Sequence, residues 1–509
     1  MLHPMEAILK VIKSYGVDAI SLFISLISVI AIASFILWDA NLAKMIIDNI
    51  YSLVVSYFGS SYLVLTIVSF LFLIILATSN YGKYILGGKD TSPEFTYFSW
   101  IGMLFCSGIG GGIIYWSGVE WAYYVGIPQF NIEAYSSEAY SLATAYGLFH
   151  WGLSAWSIYG IPAIALSIAF YKYNLNSLRL SSSLKGLGIP DIESSYFGRF
   201  IDLIFILATV GAAGGTIGSY IPMLSSGFTN LLNINNGLHI NIGVIVLCVS
   251  LFGYSVYKGL ENGIKILSNF NLILALVFLC LIAVSADFKE LLKLSLSGIQ
   301  YSFNYFWSMS TLGIREPSDF AKEWTIFYWA WWVAFGPLVG LFIARISKGR
   351  SLRQVIVGML FFGTLGTWLF YLVLGGYSMN GELNNEINVV QNMKDIGHAD
   401  TAISVITSLP ASSIMLCIFC IITIVFITTS YDSMSYVISS HVLNIRGKIK
   451  EPHKNLRLAW AIILGILPAV LVLYSDHSVA LDLILITSLP LLFIYPLMAV
   501  SIIREILKK

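Results

Sequence analysis

The chain has 509 residues, of which 57% are apolar and only 11% charged, and its mean hydropathy is +0.81. A water-soluble domain of that composition would expose large apolar patches, so the solvent of this chain is the lipid bilayer. A net charge of +1 leaves no basic excess to neutralise phosphates, which excludes a nucleic-acid partner.

Crossing about 30 Å of hydrocarbon takes about 20 helical residues. Apolar runs of that kind fall at 19–38, 60–78, 97–118, 142–171, 199–225, 238–257, 263–285, 324–346, 354–376, 403–438, 457–474 and 479–503. The predicted fold is an all-α polytopic membrane protein with twelve transmembrane helices. The first run is as long as a full span and is followed by no small-residue cleavage site, so it is expected to stay as a helix. Cytoplasmic loops collect Lys and Arg. With the N-terminus inside, all but six of the 28 basic residues (Lys44, Lys289, Lys293, Arg315, Lys322 and Lys394) fall on the cytoplasmic side. Both termini are therefore expected in the cytoplasm, with the chain in a bacterial inner membrane. Cys106, Cys248, Cys280, Cys417 and Cys420 all lie within apolar runs and read as small hydrophobes.

The third run holds Gly108, Gly110, Gly111 and Gly112 within five residues, at a helix-propensity cost of about 1 kcal/mol each. Two reasons stand open: close packing across Gly108 and Gly112, or a partly unwound helix whose freed backbone lines a site at mid-membrane. The fourth run carries His150, Trp151, Trp156 and Tyr159, and on a continuous helix the three large rings share an arc of about 140°. Such a stripe is more often core than cage. For His150 a satisfied structural role is favoured over proton transfer.

Residues 286–322 place Phe288, Leu291, Leu292 and Leu296 at the spacing of an amphipathic helix lying on the outer surface. The eighth run opens with Trp324, Phe327 and Tyr328, which suit an interfacial aromatic belt. Trp331, Trp332 and Phe335 lie too deep for a belt and, beside an expected break at Gly336-Pro337, read as a cavity wall. Opposed to the fourth run, they would make a box of π-faces able to hold a methylated ammonium. The tenth run ends with Thr429, Ser430 and Asp432. The hydroxyls of Thr429 and Ser430 ordinarily bond back to the preceding turn; the alternative is ligation of an alkali cation.

These stretches resemble the betaine/choline/carnitine transporter family. The resemblance rests on Gly108, Gly110 and Gly112 after Met-Leu-Phe, on His150-Trp151 with Trp156 and Tyr159, and on Trp324 to Trp332 followed by Leu341 to Ser351. It implies a leucine-transporter-type core of two inverted five-helix repeats, at 97–285 and 323–503. A cytoplasmic N-terminus (1–18) and two extra helices (19–96) precede them, a periplasmic connector (286–322) joins them, and a short tail (504–509) follows. It further implies a homotrimer. The family's aromatic box falls on Trp151, Trp156, Tyr159 and Trp332 with Trp331 nearby, and its carboxylate-facing backbone on Gly108 to Gly112. Its sodium site falls on the carbonyls of Cys106, Ile109 and Phe426 and the hydroxyls of Thr429 and Ser430. Phe335 stands where many members carry tryptophan, and Trp121 where several carry proline.

No phosphate-binding glycine loop accompanies these motifs, so transport would draw on an ion gradient or on exchange. No cofactor is expected beyond Na+ as coupling ion. Exchangers of the family this chain resembles put a basic side chain in place of the ion, and no Lys or Arg lies between Lys89 and Lys172 or between Arg199 and Lys258, which favours Na+ symport of a betaine-like solute over cation-independent exchange; H+-coupled choline transport stands as a further alternative. An enzyme would need convergent titratable groups, and His150, Asp202, Asp432 and Asp482 are scattered along the spans.

Overall fold

A computed structural model describes residues 16–109, 111–175, 179–258, 264–443, 452–474 and 477–508. The regular elements among them are helices, joined by two isolated bridges, Val17 with Leu443 and Ile85 with Ser351. Apart from closed barrels, only helices satisfy every backbone N–H and C=O without water, which is why an apolar chain of this kind folds so.

In chain order the helices are α1 (Ala19–Trp38), α2 (Ala40–Thr78), α3 (Tyr97–Ile109), α4 (Gly112–Ser117), α5 (Trp121–Tyr124), α6 (Ser137–His150), α7 (Leu153–Lys172), α8 (Tyr196–Leu232), α9 (Leu238–Lys258) and α10 (Ile264–Ser285). After α11 (Phe288–Asn304) and α12 (Phe306–Thr311), the second half runs through α13 (Ile326–Ile346), α14 (Leu352–Leu383), α15 (Val389–Asp395), α16 (Gly397–Thr407), α17 (Ser412–His441), α18 (Lys454–Tyr474) and α19 (His477–Leu507). Many starts are capped in the expected way: Asp18, Asp39, Ser136, Ser195 and Asp287 accept first-turn amides, and Ser351 forms a capping box with Gln354.

Among the described residues nine spans are long and apolar enough to cross a membrane, ten if α10 and α11 are one bent span, where twelve were expected. The third predicted run is divided between α3 and α4, and the seventh turns by 114° into α11. The eleventh falls on α18. The tenth predicted run crosses a break, because Pro410 offers no N–H and Ala411 adopts a left-handed φ of 53° between α16 and α17. On α11 Leu291 is buried while Phe288, Leu292 and Leu296 are exposed, an apolar stripe turned outward.

The centre of the molecule is α13 packed along α7, with α8, α19 and α2 around them. Pro337 lies inside α13, which continues to Ile346, so the break expected at Gly336-Pro337 is absent. The carbonyl of Val333, which proline cannot serve, accepts a bond from the Tyr495 hydroxyl of α19 at 3.3 Å. Gly336 makes room for that hydroxyl, since a Cβ there would overlap it.

At the end predicted to be cytoplasmic, Arg179 is buried 3.4 Å from Asp202 and donates to the Leu443 carbonyl. The amide of Leu180 donates to His441 Nε2 at 3.0 Å, and Ser181 gives both its amide and its hydroxyl to Asp202. One short segment thereby ties α8 to the end of α17.

Candidate functional site

The fourth predicted run is not one straight helix. Trp151 ends α6 and Gly152 adopts φ −106° and ψ −145° before α7 begins. The carbonyls this bend frees find donors on α14: Thr367 gives its hydroxyl to Trp151 O at 2.5 Å, and Trp368 gives its indole N–H to Leu148 O at 2.9 Å. The angular arithmetic that put three rings on one continuous face is therefore superseded, yet the rings still meet.

They meet at Trp332. Its ring centroid lies 5.7 Å from Trp151, 5.8 Å from Trp156 and 4.4 Å from Tyr159, in edge-to-face or tilted arrangements. Trp156 and Tyr159 are 5.7 Å apart, and all four side chains are buried. Rings inclined to one another in this way can each turn a negative π-face toward a shared volume, which is what a cation-binding box requires. Among the described residues the Trp156 indole N–H has no hydrogen-bond partner. Gly112, the first residue of α4, abuts the box: a Cβ there would stand 2.9 Å from the Trp151 ring and 2.9 Å from the Tyr220 hydroxyl.

Other predicted residues fall differently. Trp331 lies 6.3 Å from Trp151 but stacks on Tyr328 and packs against Phe327 and Trp116, so it belongs to a neighbouring cluster. Phe335 is half-buried, and no ring contact joins it to the four box residues among the described residues. Trp324, Phe327 and Tyr328 are buried against Trp116, which overturns their reading as an interfacial belt. Gly108 lies in the last turn of α3, and Gly110 lies outside the described residues.

For the ion-binding set, Cys106 and Ile109 end α3, and Phe426, Thr429 and Ser430 lie on α17, which packs against it. The Thr429 hydroxyl donates to the carbonyls of Val425 and Phe426 at 3.0 and 3.1 Å. A hydroxyl engaged in this way keeps its oxygen lone pairs for a cation, while its bond to Phe426 occupies one of the carbonyls the sequence assigned to that ion.

The most strongly coordinated group in this region was missed from the sequence. Glu120, wholly buried, accepts from Tyr124 on Oε1 at 2.7 Å, and on Oε2 from Tyr328 at 2.6 Å, from the Trp151 indole at 3.2 Å and from Tyr371. His150 Nδ1 stands 3.6 Å from Oε1 and 3.2 Å from the Tyr124 hydroxyl, and Nε2 is 3.1 Å from Thr325. Tyr124 spends its one proton on Glu120, so in the neutral imidazole Nδ1–H donates to Tyr124 and Nε2 accepts from Thr325. His150 is thus fully satisfied. The available signal was that Glu120 is the sole charge between Glu94 and Glu133. His398 was missed as well; it stacks on Tyr115 at 3.9 Å.

A family model described as the betaine/carnitine/choline family transporter, BCCT, matches residues 20–509. The chain is 32% identical to the glycine betaine/proline/choline/ectoine transporter of Vibrio parahaemolyticus, over 94% of this chain and 84% of that one. It is 31% identical to the carnitine transporter of Acinetobacter baumannii, over 82% and 76% of the two chains. To the glycine betaine transporter of Bacillus subtilis it is also 31% identical, over 89% and 87%.

Proposed function

Because this chain belongs to the BCCT family, and so is a multi-pass membrane transporter of betaine type and not an enzyme, we propose that it imports a quaternary ammonium compatible solute of the glycine betaine, choline or carnitine kind together with Na+. The observation that carries this reading is the meeting of Trp151, Trp156 and Tyr159 around Trp332 at the centre of the fold. Each desolvated ring contributes on the order of 1–2 kcal/mol of cation–π attraction, so a trimethylammonium group touching several of them needs no counter-charge. The unpartnered N–H of Trp156 and the backbone at Gly112, which abuts Trp151, are the donors this reading offers an anionic end.

In this reading the core is a leucine-transporter-type pair of inverted five-helix repeats within twelve spans, with both termini in the cytoplasm of a bacterial cell and three copies per assembly. The two repeats open at α3 and at α13. Na+ lies between α3 and α17, at the carbonyls of Cys106, Ile109 and Phe426 and the oxygens of Thr429 and Ser430. Its binding favours the outward-open arrangement, the solute cation enters the box, and the repeats then rock. A pair of helices holding substrate and ion side by side gives the coupling a short path, because both ligands bias the same movement.

The test is uptake of radiolabelled glycine betaine into proteoliposomes, with an imposed Na+ gradient and with K+ in its place, competed by choline and carnitine. Accumulation only with Na+ is expected. Uptake indifferent to Na+ but dependent on internal substrate means exchange, and uptake driven by a proton gradient alone means H+ coupling; either result overturns the ion assignment. Absence of uptake with every one of these solutes overturns the substrate class.

A further inference from the structure

We propose that Glu120 is a positioning residue for the substrate site, acting through the indole N–H of Trp151; this rests on the reading of the four rings as the substrate box. Glu120 is wholly buried, and its donors come from four separate places: Tyr124 of α5, Trp151 at the bend between α6 and α7, Tyr328 of α13 and Tyr371 of α14. An ionised carboxylate only accepts, and so many converging donors fill its lone pairs in place of the water it has lost. The cost of breaking that set is what gives the arrangement its stiffness.

Two of the donors bear on the box. The N–H is the one polar atom of the Trp151 side chain, so its bond to Glu120 Oε2 at 3.2 Å fixes the direction in which the ring presents its face. Tyr328, bonded to the same oxygen at 2.6 Å, lies one helical turn before Trp332 on α13. A single oxygen thus sets Trp151 and the helix bearing Trp332 in relation to one another, and those two rings come from opposite halves of the chain. Glu120 itself bonds to the edge of one box ring and to none of the others. Its part is to hold the walls in register.

The experiment is a double-mutant cycle on the full-length protein in proteoliposomes, with Glu120→Gln, Trp151→Phe and both together. Phenylalanine keeps a π-face and loses the N–H. Each single change is expected to raise the KM for glycine betaine with Vmax held within about twofold. The double variant is expected to show no more than the larger single effect, a coupling of about five- to tenfold in KM. KM factors that multiply, or a Glu120→Gln variant that lowers Vmax with KM unmoved, overturn the proposal. Where Glu120→Gln fails to fold, Tyr371→Phe removes one donor from the carboxylate and replaces it in the cycle, with the same two outcomes. A readout independent of transport runs alongside: in protein labelled with 5-fluorotryptophan, the 19F line that vanishes in Trp151→Phe is expected to shift and broaden when Glu120 or Tyr371 is changed. An unmoved line overturns the proposal whatever the substrate proves to be, whereas absent wild-type uptake with a shifted line counts against the substrate assignment alone.

Discussion

Replacing Trp332 by alanine removes the ring on which the other three converge, with centroids at 5.7, 5.8 and 4.4 Å. The direct loss is one cation–π wall, on the order of 1–2 kcal/mol. The indirect loss is the packing that keeps Trp151, Trp156 and Tyr159 turned inward, since aromatic pairs of this geometry contribute about 0.5–1.5 kcal/mol each. If half of that indirect loss appears in binding, the sum is roughly 2–4 kcal/mol, or a factor of about 30 to 10³ in KM. Uptake at micromolar substrate should then be undetectable. A buried Trp→Ala change also costs about 3–5 kcal/mol of stability, so the amount of folded protein has to be matched by size-exclusion chromatography before reconstitution. Trp332→Phe, which keeps a π-face, is the control and should stay within about tenfold of the wild type. An alanine variant that reconstitutes normally with KM within about threefold of wild type would refute the box.

Three further outcomes follow from the geometry. Thr429→Val removes a hydroxyl whose hydrogen bonds all lie within its own helix, so thermal stability should shift little while the Na+ concentration for half-maximal uptake rises at least about tenfold; an unchanged Na+ dependence contradicts the ion assignment. Asp202→Asn leaves Arg179 buried without its counter-charge and should cost about 3–5 kcal/mol, read as a fall in the detergent melting temperature; a wild-type melting curve would mean that Arg179 finds compensation elsewhere. Gly336→Ala should melt well below wild type because its Cβ meets the Tyr495 hydroxyl, and adding Tyr495→Phe should recover part of the loss; a double variant no better than the single would exclude that overlap as the cause.

The elements whose meaning lies within one or two turns could be read from sequence. The outward stripe of α11 needs only helical periodicity. Relations between distant segments were not legible. Glu120 gathers donors 4, 31, 208 and 251 positions away, and nothing along the chain announces that convergence. Pro337 was taken for a break because the rule that proline interrupts a helix counts only bonds made inside it, whereas here Tyr495 supplies the missing donor from another helix. Trp324 and Tyr328 were assigned to a belt because aromatic residues near the start of a span look alike whether they face lipid headgroups or a second ring of aromatics.

The bond from Tyr495 to Val333 makes α13 a rod with a catch in it. At 3.3 Å it is a long bond, to the carbonyl that Pro337 cannot serve, and its donor belongs to α19 rather than to α13 itself. Were α19 to slide by a small fraction of a turn, this bond would break and α13 could bend at Pro337 without losing a hydrogen bond of its own. If this bond acts as such a catch, Tyr495→Phe should alter the turnover rate of the transport cycle more than the affinity for solute, and equal effects on both would exclude it.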